Sequence, residues 1–97
     1  MNMVLKNTPR FALGQVVATP GALRALEETN QLPFEFLARH QAGDWGEVDE
    51  EDRAENELSV VKGFRILSTY RTSTDIKIWV ITEADRSATT ILLPEEY

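Results

Sequence analysis

The chain has 97 residues, of which 42% are apolar and 27% charged, with five glycines and four prolines. This composition is that of one globular domain and excludes collagen-like, coiled-coil and wholly disordered chains. The absence of cysteine excludes disulfides, a thiolate nucleophile and sulfur-ligated metals. We therefore expect a single domain over residues 1–97, in which residues 1–10 are disordered.

No apolar run in the chain reaches the roughly 7–15 residues of a secretory signal or the roughly 20 residues of a membrane helix. The longest such run near the start is Met3-Val4-Leu5. We expect a cytoplasmic protein that has no membrane partner.

The first predicted elements are a short strand and two helices. Residues Gln15 to Ala18 form the strand, which could join one edge of a sheet. Thr19 is followed by proline, a pattern typical of a helix start, and this helix should stop near Asn30. A second helix is predicted from Pro33 to Gly43. Apolar residues at helical spacing predict the buried faces: Leu23 and Leu26 with Ala22 and Ala25 in the first helix, and Phe34, Leu37 and Ala38 in the second.

A third helix is predicted from Asp49, which can cap it, to a stop at Gly63. Acidic residues fill its first turn, where they meet the positive end of the helix dipole. Its single apolar stripe consists of Ala54, Leu58 and Val61, and we expect this stripe to be the buried one.

The hydrophobic period then changes from 3.6 to 2, which is typical of strands. Residues Phe64 to Arg71 and Ile76 to Thr82 should form an antiparallel hairpin, followed by a third strand from Thr89 to Leu93. These elements predict an α+β fold, in which N-terminal helices pack on a small, mostly antiparallel sheet. The sheet is a C-terminal three-stranded meander with the early strand as a possible edge.

The acidity of the chain is concentrated in one segment. Between Asp44 and Glu57 there are eight acidic residues and one basic residue, a net charge of −7 against −6 for the whole chain. Nucleic-acid recognition depends on basic side chains, so direct binding of DNA or RNA is disfavoured. One interpretation is a negative surface that binds a basic protein, such as a nuclease or another DNA-binding protein. The other is a solvated helix start whose charge serves solubility.

In the first interpretation the chain is a small non-enzymatic interaction module. Trp45 is the predicted apolar contact with the partner, unless it holds the acidic loop against the body of the protein. The predicted charged contacts are Asp44, Glu47, Asp49, Glu50, Glu51, Asp52 and Glu55.

Metal chemistry has weak support in the sequence. The acidic segment fails the ligand register of a calcium-binding EF-hand loop whether the loop starts at Asp44 or at Asp49. The sequence Asp75-Ile76-Lys77 has the acid-x-Lys pattern of metal-dependent nucleases, but the neighbouring predicted strand holds no second acid. We expect no metal and no cofactor.

Two further function classes stay open. The chain could bind a small ligand, or act as an enzyme, at a site between sheet and helices, with His40, Asp85 and Arg86 as the polar groups. His40 is the only histidine, and Ser87 lacks the pattern of an activated nucleophile. Alternatively, the chain could be a structural homodimer joined through an open sheet edge.

Three stretches carry a resemblance to a known family: residues 11–23 (FALGQVVATPGAL), residues 43–46 (GDWG), and residues 84–87 (ADRS) continuing to the final LPEEY. The chain resembles small bacterial proteins described as hypothetical or plasmid-related, some of them labelled as a type I restriction endonuclease M subunit. The resemblance implies a bacterial source and an association with mobile elements, and it supplies no site residue. A methyltransferase fold would need a glycine-rich turn after its first strand, which this chain lacks.

Overall fold

The computed structural model describes residues 8–97. Along the chain the elements are β1 (Gln15–Ala18), α1 (Pro20–Thr29), α2 (Pro33–Ala42), α3 (Glu50–Lys62), β2 (Ile66–Arg71), β3 (Lys77–Thr82), β4 (Ala88–Leu92) and a C-terminal 3₁₀ turn (Pro94–Glu96). The predicted α+β class is confirmed. Of the ten residues predicted to be disordered, 1–7 lie outside the described residues. Arg10 is held in place, because its backbone N–H donates to the Gln41 carbonyl at 2.8 Å.

Local signals set the helix ends. The side chains of Thr19 and Asp49 accept hydrogen bonds from backbone N–H groups in the first turns of α1 and α3. The three helices end at Asn30, Gly43 and Gly63, each of which has a positive φ angle. These helix limits agree with those predicted from the sequence to within a residue.

The four strands form one mixed sheet in the order β1-β4-β3-β2. The β2–β3 and β3–β4 pairs are antiparallel, which confirms the predicted meander. The early strand does join an edge, where it lies parallel to β4. The core lies between the first two helices and one face of this sheet, and its buried side chains are Ala22, Leu26, Phe36, Tyr70, Ile78, Val80 and Ile91.

In α1 and α2 the predicted buried faces are partly wrong. Phe34 is 73% exposed, and Phe36 and His40 face the core instead. Leu23 is also exposed, at 44%, whereas Leu26 is buried. Phe36 and His40 are four residues apart and so share one helix face. The pattern of apolar residues does not predict this face, because His40 is polar and is not part of the pattern.

In α3 the predicted face is reversed. The buried residues are the polar Asn56 and Ser59, while Leu58 and Val61 are 47% and 78% exposed. Ala54, the third member of the predicted stripe, is exposed as well. The helix lies along the outer edge of β2, where unpaired backbone groups need hydrogen-bond partners rather than apolar contacts.

Asn56 supplies those partners. Its side-chain amide donates to the Leu67 carbonyl at 2.8 Å and accepts from the Leu67 N–H at 3.2 Å. Further along the same edge, the Trp45 carbonyl accepts from the Thr69 N–H, and the Glu47 N–H donates to the Thr69 carbonyl. The outer edge of β2 is therefore closed by a helix side chain and by a short extended segment.

Gly46 allows that segment to lie against β2. Its φ angle is 75°, and a Cβ atom at this position would lie 1.9 Å from the Thr69 carbonyl oxygen. Both the backbone angle and the space therefore require glycine.

We predict that Asn56→Ala lowers the free energy of unfolding by about 1–3 kcal/mol, because it leaves a partly buried N–H and a partly buried C=O of Leu67 without partners. Glu55→Ala is the matched control, since Glu55 is exposed on the same helix, and it should change stability by less than about 0.5 kcal/mol. Urea unfolding of both variants measures the difference. Equal effects would contradict the assigned role of the amide.

Candidate functional site

The acidic segment, residues 44–57, runs from the end of α2 through the strand-like contact at Gly46 into the first two turns of α3. Three of its carboxylates form ion pairs with arginines outside the segment: Arg39–Asp44 at 2.7 Å, Arg71–Glu47 at 2.9 Å and Arg10–Glu57 at 2.9 Å. These pairs are partly exposed, so each contributes little to stability. Their consequence is that part of the predicted negative surface is neutralised within the chain.

The pKa values of two of these carboxyls reflect the pairing. The hydrogen bond from Arg39 holds the pKa of Asp44 below its usual value. The hydrogen bond from Arg10, supported by the indole N–H of Trp45, lowers the pKa of Glu57. Both groups therefore stay ionised at neutral pH and fix the two ends of the segment to the body of the protein.

The remaining carboxylates are concentrated at the start of α3. Asp49 accepts the Asp52 N–H at 2.8 Å as the helix cap. Within residues 8–97, no ion pair within 4 Å involves the four exposed acids of the first turns, which are Glu50, Glu51, Asp52 and Glu55. These four, called the α3 acids below, are the predicted charged contacts that neither form such a pair nor cap the helix.

Trp45 lies in the interior of the protein, and this corrects its predicted role as the contact with a partner. The side chain is fully buried, and its indole N–H donates to Glu57 at 3.0 Å. Its ring packs on Phe11 and against the edge of His40. A residue without exposed surface cannot contact a partner, so Trp45 joins α3 to the body instead.

The exposed apolar residues of α3 replace Trp45 as the candidate apolar contact. Ala54, Leu58 and Val61 recur at i, i+4 and i+7 and so form one face, called the α3 stripe below. Glu51 and Glu55 each precede a stripe residue by three positions, so two of the α3 acids border the stripe. The pattern was visible in the sequence, but it was assigned to the core because amphipathic helices usually bury their apolar stripe.

The three polar residues proposed for a ligand site do not form one. His40 is fully buried between α2 and the sheet, with hydrogen bonds at both ring nitrogens. Asp85 is exposed in the β3–β4 turn, and hydrogen bonding from Ser87, first by its side chain and then by its N–H, lowers the pKa of Asp85. Phe11 contacts both His40 and Arg86, with the His40 ring at 5.1 Å and the guanidinium carbon of Arg86 at 5.6 Å.

Arg86 forms hydrogen bonds with backbone carbonyl groups. Its guanidinium donates to four carbonyl oxygens, those of Ser59, Phe64, Glu83 and Ala84, at 2.8–3.2 Å. The Ser59 carbonyl belongs to the last turn of α3, where the helix dipole favours positive charge. Arg86 therefore joins the β3–β4 turn to the end of α3, and both terminal nitrogens of its guanidinium take part in these backbone contacts.

His40 belongs to a buried chain of hydrogen bonds. The Thr89 hydroxyl donates to the Leu13 carbonyl at 2.8 Å, so the Thr82 hydroxyl must donate to Thr89 at 2.7 Å. Thr82 then accepts from Nε2–H of His40 at 2.9 Å, and Nδ1 of His40 accepts from the Ser68 hydroxyl at 2.6 Å. This order of donors requires a proton on Nε2 of His40, and burial, which lowers the pKa of His40, keeps the imidazole neutral so that Nδ1 can accept.

Grooves lie elsewhere on the surface. One of about 380 Å³ is lined by residues at the α1–α2 junction, including Leu23, Asn30 and Leu32. Within residues 8–97, no cluster of three or more acids and histidines is placed to hold a metal ion. Among the helices of the same residues, none has the length and the apolar character that a membrane span requires.

We predict that acid destabilises the protein through His40. Burial, with a smaller repulsion from Arg86, lowers the pKa of His40 from its ordinary 6.5 to about 3. Between these two values the unfolded chain binds more protons, so stability falls as the pH drops below 6.5, at a limiting slope of about 1.4 kcal/mol per pH unit.

Urea unfolding between pH 7 and 5 measures this slope before the carboxyl groups titrate. His40→Gln should remove it, since glutamine can donate and accept without taking up a proton. Nitrogen chemical shifts of the single histidine should report the Nε2–H form throughout this range. A slope that persists in the variant, or an imidazole that titrates near pH 6.5, would contradict the assignment.

Comparison of the chain with models of protein families, with curated proteins and with solved structures finds no match to any of them. The resemblance to small bacterial plasmid-related proteins therefore stays a prediction.

Proposed function

We propose that the protein is a cytoplasmic, non-enzymatic interaction module that binds a basic protein surface through the outer face of α3. The α3 stripe makes the apolar contact and the α3 acids make the charged ones. One observation carries the proposal: α3 buries Asn56 and Ser59 while it exposes Leu58 and Val61.

The exposed stripe supports binding because apolar surface gains free energy when it leaves water. Full burial of a leucine or valine side chain is worth about 1.5–3 kcal/mol, and with exposed fractions of 47% and 78%, Leu58 and Val61 keep a large part of that gain available. Phe64, just beyond the end of α3, is also exposed. Contiguous apolar patches bordered by polar residues mark interaction sites more often than single exposed residues do.

The α3 acids support a basic partner. Carboxylates at i and i+4, such as Glu51 and Glu55, lie about 5–6 Å apart on a helix, close to the spacing of successive phosphates. A surface that binds nucleic acid would therefore meet a similar arrangement of negative charge here. Such charges mainly accelerate association and select the partner, while the buried apolar contacts hold the complex together.

We predict that Val61→Ser weakens partner binding about tenfold, which corresponds to the roughly 1.4 kcal/mol of apolar burial that it removes. The partner is first captured from host lysate by the native chain, purified, and titrated by calorimetry. Phe34→Ser is the matched control, because Phe34 is equally exposed but lies on α2. It should bind as the native chain does.

A second variant, in which the α3 acids become Gln or Asn, tests the charged contribution. Its binding should lose the salt dependence of the native chain between about 50 and 200 mM salt, a range over which surface charges become strongly screened. Glu27 and Glu28 changed to Gln in α1 provide the control for lost charge alone. If both stripe and acid variants capture the same protein as strongly as the native chain, the proposal fails.

A further inference from the structure

The two edges of the sheet differ in how they are protected. The β2 edge is closed by Asn56 and by the residues around Gly46, as described above. At the opposite edge, β1 is the last strand, and within residues 8–97 no element pairs with its outer side. An uncovered strand presents free N–H and C=O groups to which another strand can bind.

The hydrogen bonds to β4 show which groups of β1 are free. The N–H of Gln15 donates to the Ser87 carbonyl at 2.9 Å, and the N–H of Thr19 donates to the Ile91 carbonyl at 3.0 Å. In a parallel pair the bonding residues alternate, so Val17 also bonds to β4. The backbone N–H and C=O groups of Val16 and Ala18 therefore point away from the sheet.

The side chains of β1 do not protect this edge. Natural edge strands are commonly blocked by lysine, proline or a bulge, and the four residues of β1 include none of these. Val16 and Val17 are 41% and 43% exposed, on opposite faces of the strand. The strand is neutral in a chain whose net charge is −6, so its pairing with an identical strand meets no local repulsion.

The placement of charge further favours a second copy as the occupant. The α3 acids lie beside β2, at the other edge of the sheet. Strands are spaced about 4.8 Å apart, so two copies joined through β1 would hold their α3 helices at least roughly 30 Å apart. That distance exceeds the Debye length of about 8 Å at physiological ionic strength.

We propose that β1 pairs with β1 of a second copy in antiparallel fashion about a two-fold axis. Val17 lies opposite Val17 of the second copy on the axis, as a pair without mutual hydrogen bonds. Val16 of each copy exchanges two hydrogen bonds with Ala18 of the other. The two sheets then form one continuous sheet, and the outer face of α3 stays free in both copies. The contact is small compared with the roughly 1,200 Å² of a stable interface, so the dimer is reversible.

Amide hydrogen exchange of the unmodified protein, combined with analytical ultracentrifugation, tests this. With rising protein concentration, we expect the average mass from ultracentrifugation to approach twice that of one chain. We also expect the hydrogen exchange of the Val16 and Ala18 amides to become at least tenfold slower. The Val17 amide should be protected at every concentration. A monomer at all concentrations would overturn the proposal, and so would concentration-independent protection of Val16 and Ala18, which would mean that the edge is covered within one chain.

Paired variants separate this proposal from the proposed function. Val17→Lys places two like charges at the axis and should raise the dissociation constant of the dimer at least tenfold, while binding of the basic partner is retained. Val61→Lys should leave the dimer intact and weaken partner binding. Circular dichroism verifies folding, and the exchange experiment on the unmodified protein decides the question if Val17→Lys does not fold. A dimer that Val17→Lys leaves unchanged would overturn the proposal.

Discussion

The two hydrogen bonds between the Asn56 side chain and the backbone of Leu67 determine which way α3 faces. A strand at a sheet edge must satisfy its outer N–H and C=O groups, and a buried group left without a partner costs about 1–3 kcal/mol. The amide of asparagine carries a donor and an acceptor side by side, so it can replace one residue of a neighbouring strand. Once Asn56 points inward, the helical period leaves Leu58 and Val61 on the solvent side.

The same constraint organises the acidic segment. The residues around Gly46 continue the edge that Asn56 begins, and Trp45 is drawn into the interior beside them. Its indole N–H donates to Glu57, which also forms an ion pair with Arg10. The carboxylates near these contacts pair with arginines of other parts of the chain, whereas those at the start of α3 do not pair within the described part of the chain. One segment of the sequence is therefore divided between a structural half and an exposed half.

The fold could be predicted from sequence to the extent that its signals are local. The Thr19 and Asp49 caps and the Gly63 stop are determined by neighbouring residues, and the change of period marks the strands. The buried faces were not predictable in this way, because they depend on contacts with residues far along the chain. His40 can be buried because its ring forms hydrogen bonds with Ser68 and Thr82, which lie 28 and 42 positions away in the sequence.

The candidate site shows the same division. Its charge was visible as a count of acids, but the sequence did not indicate that Asp44 and Glu47 pair with arginines from other elements. The α3 stripe was visible as a pattern in the sequence, but the prediction that it is buried was wrong. A helix that packs on a backbone edge rather than on a hydrophobic layer reverses the usual rule, and no property of the helix sequence alone distinguishes the two environments.

The reversed polarity of α3 also separates the positions that maintain the fold from those that are exposed to solvent. Asn56, Ser59 and Gly46 carry the structural demands, and they are polar or small. Leu58 and Val61 make little contribution to the core, so substitutions there leave the folded state nearly as stable as before. The outer face of α3 can therefore change in sequence during evolution, or in the laboratory, on an unchanged scaffold.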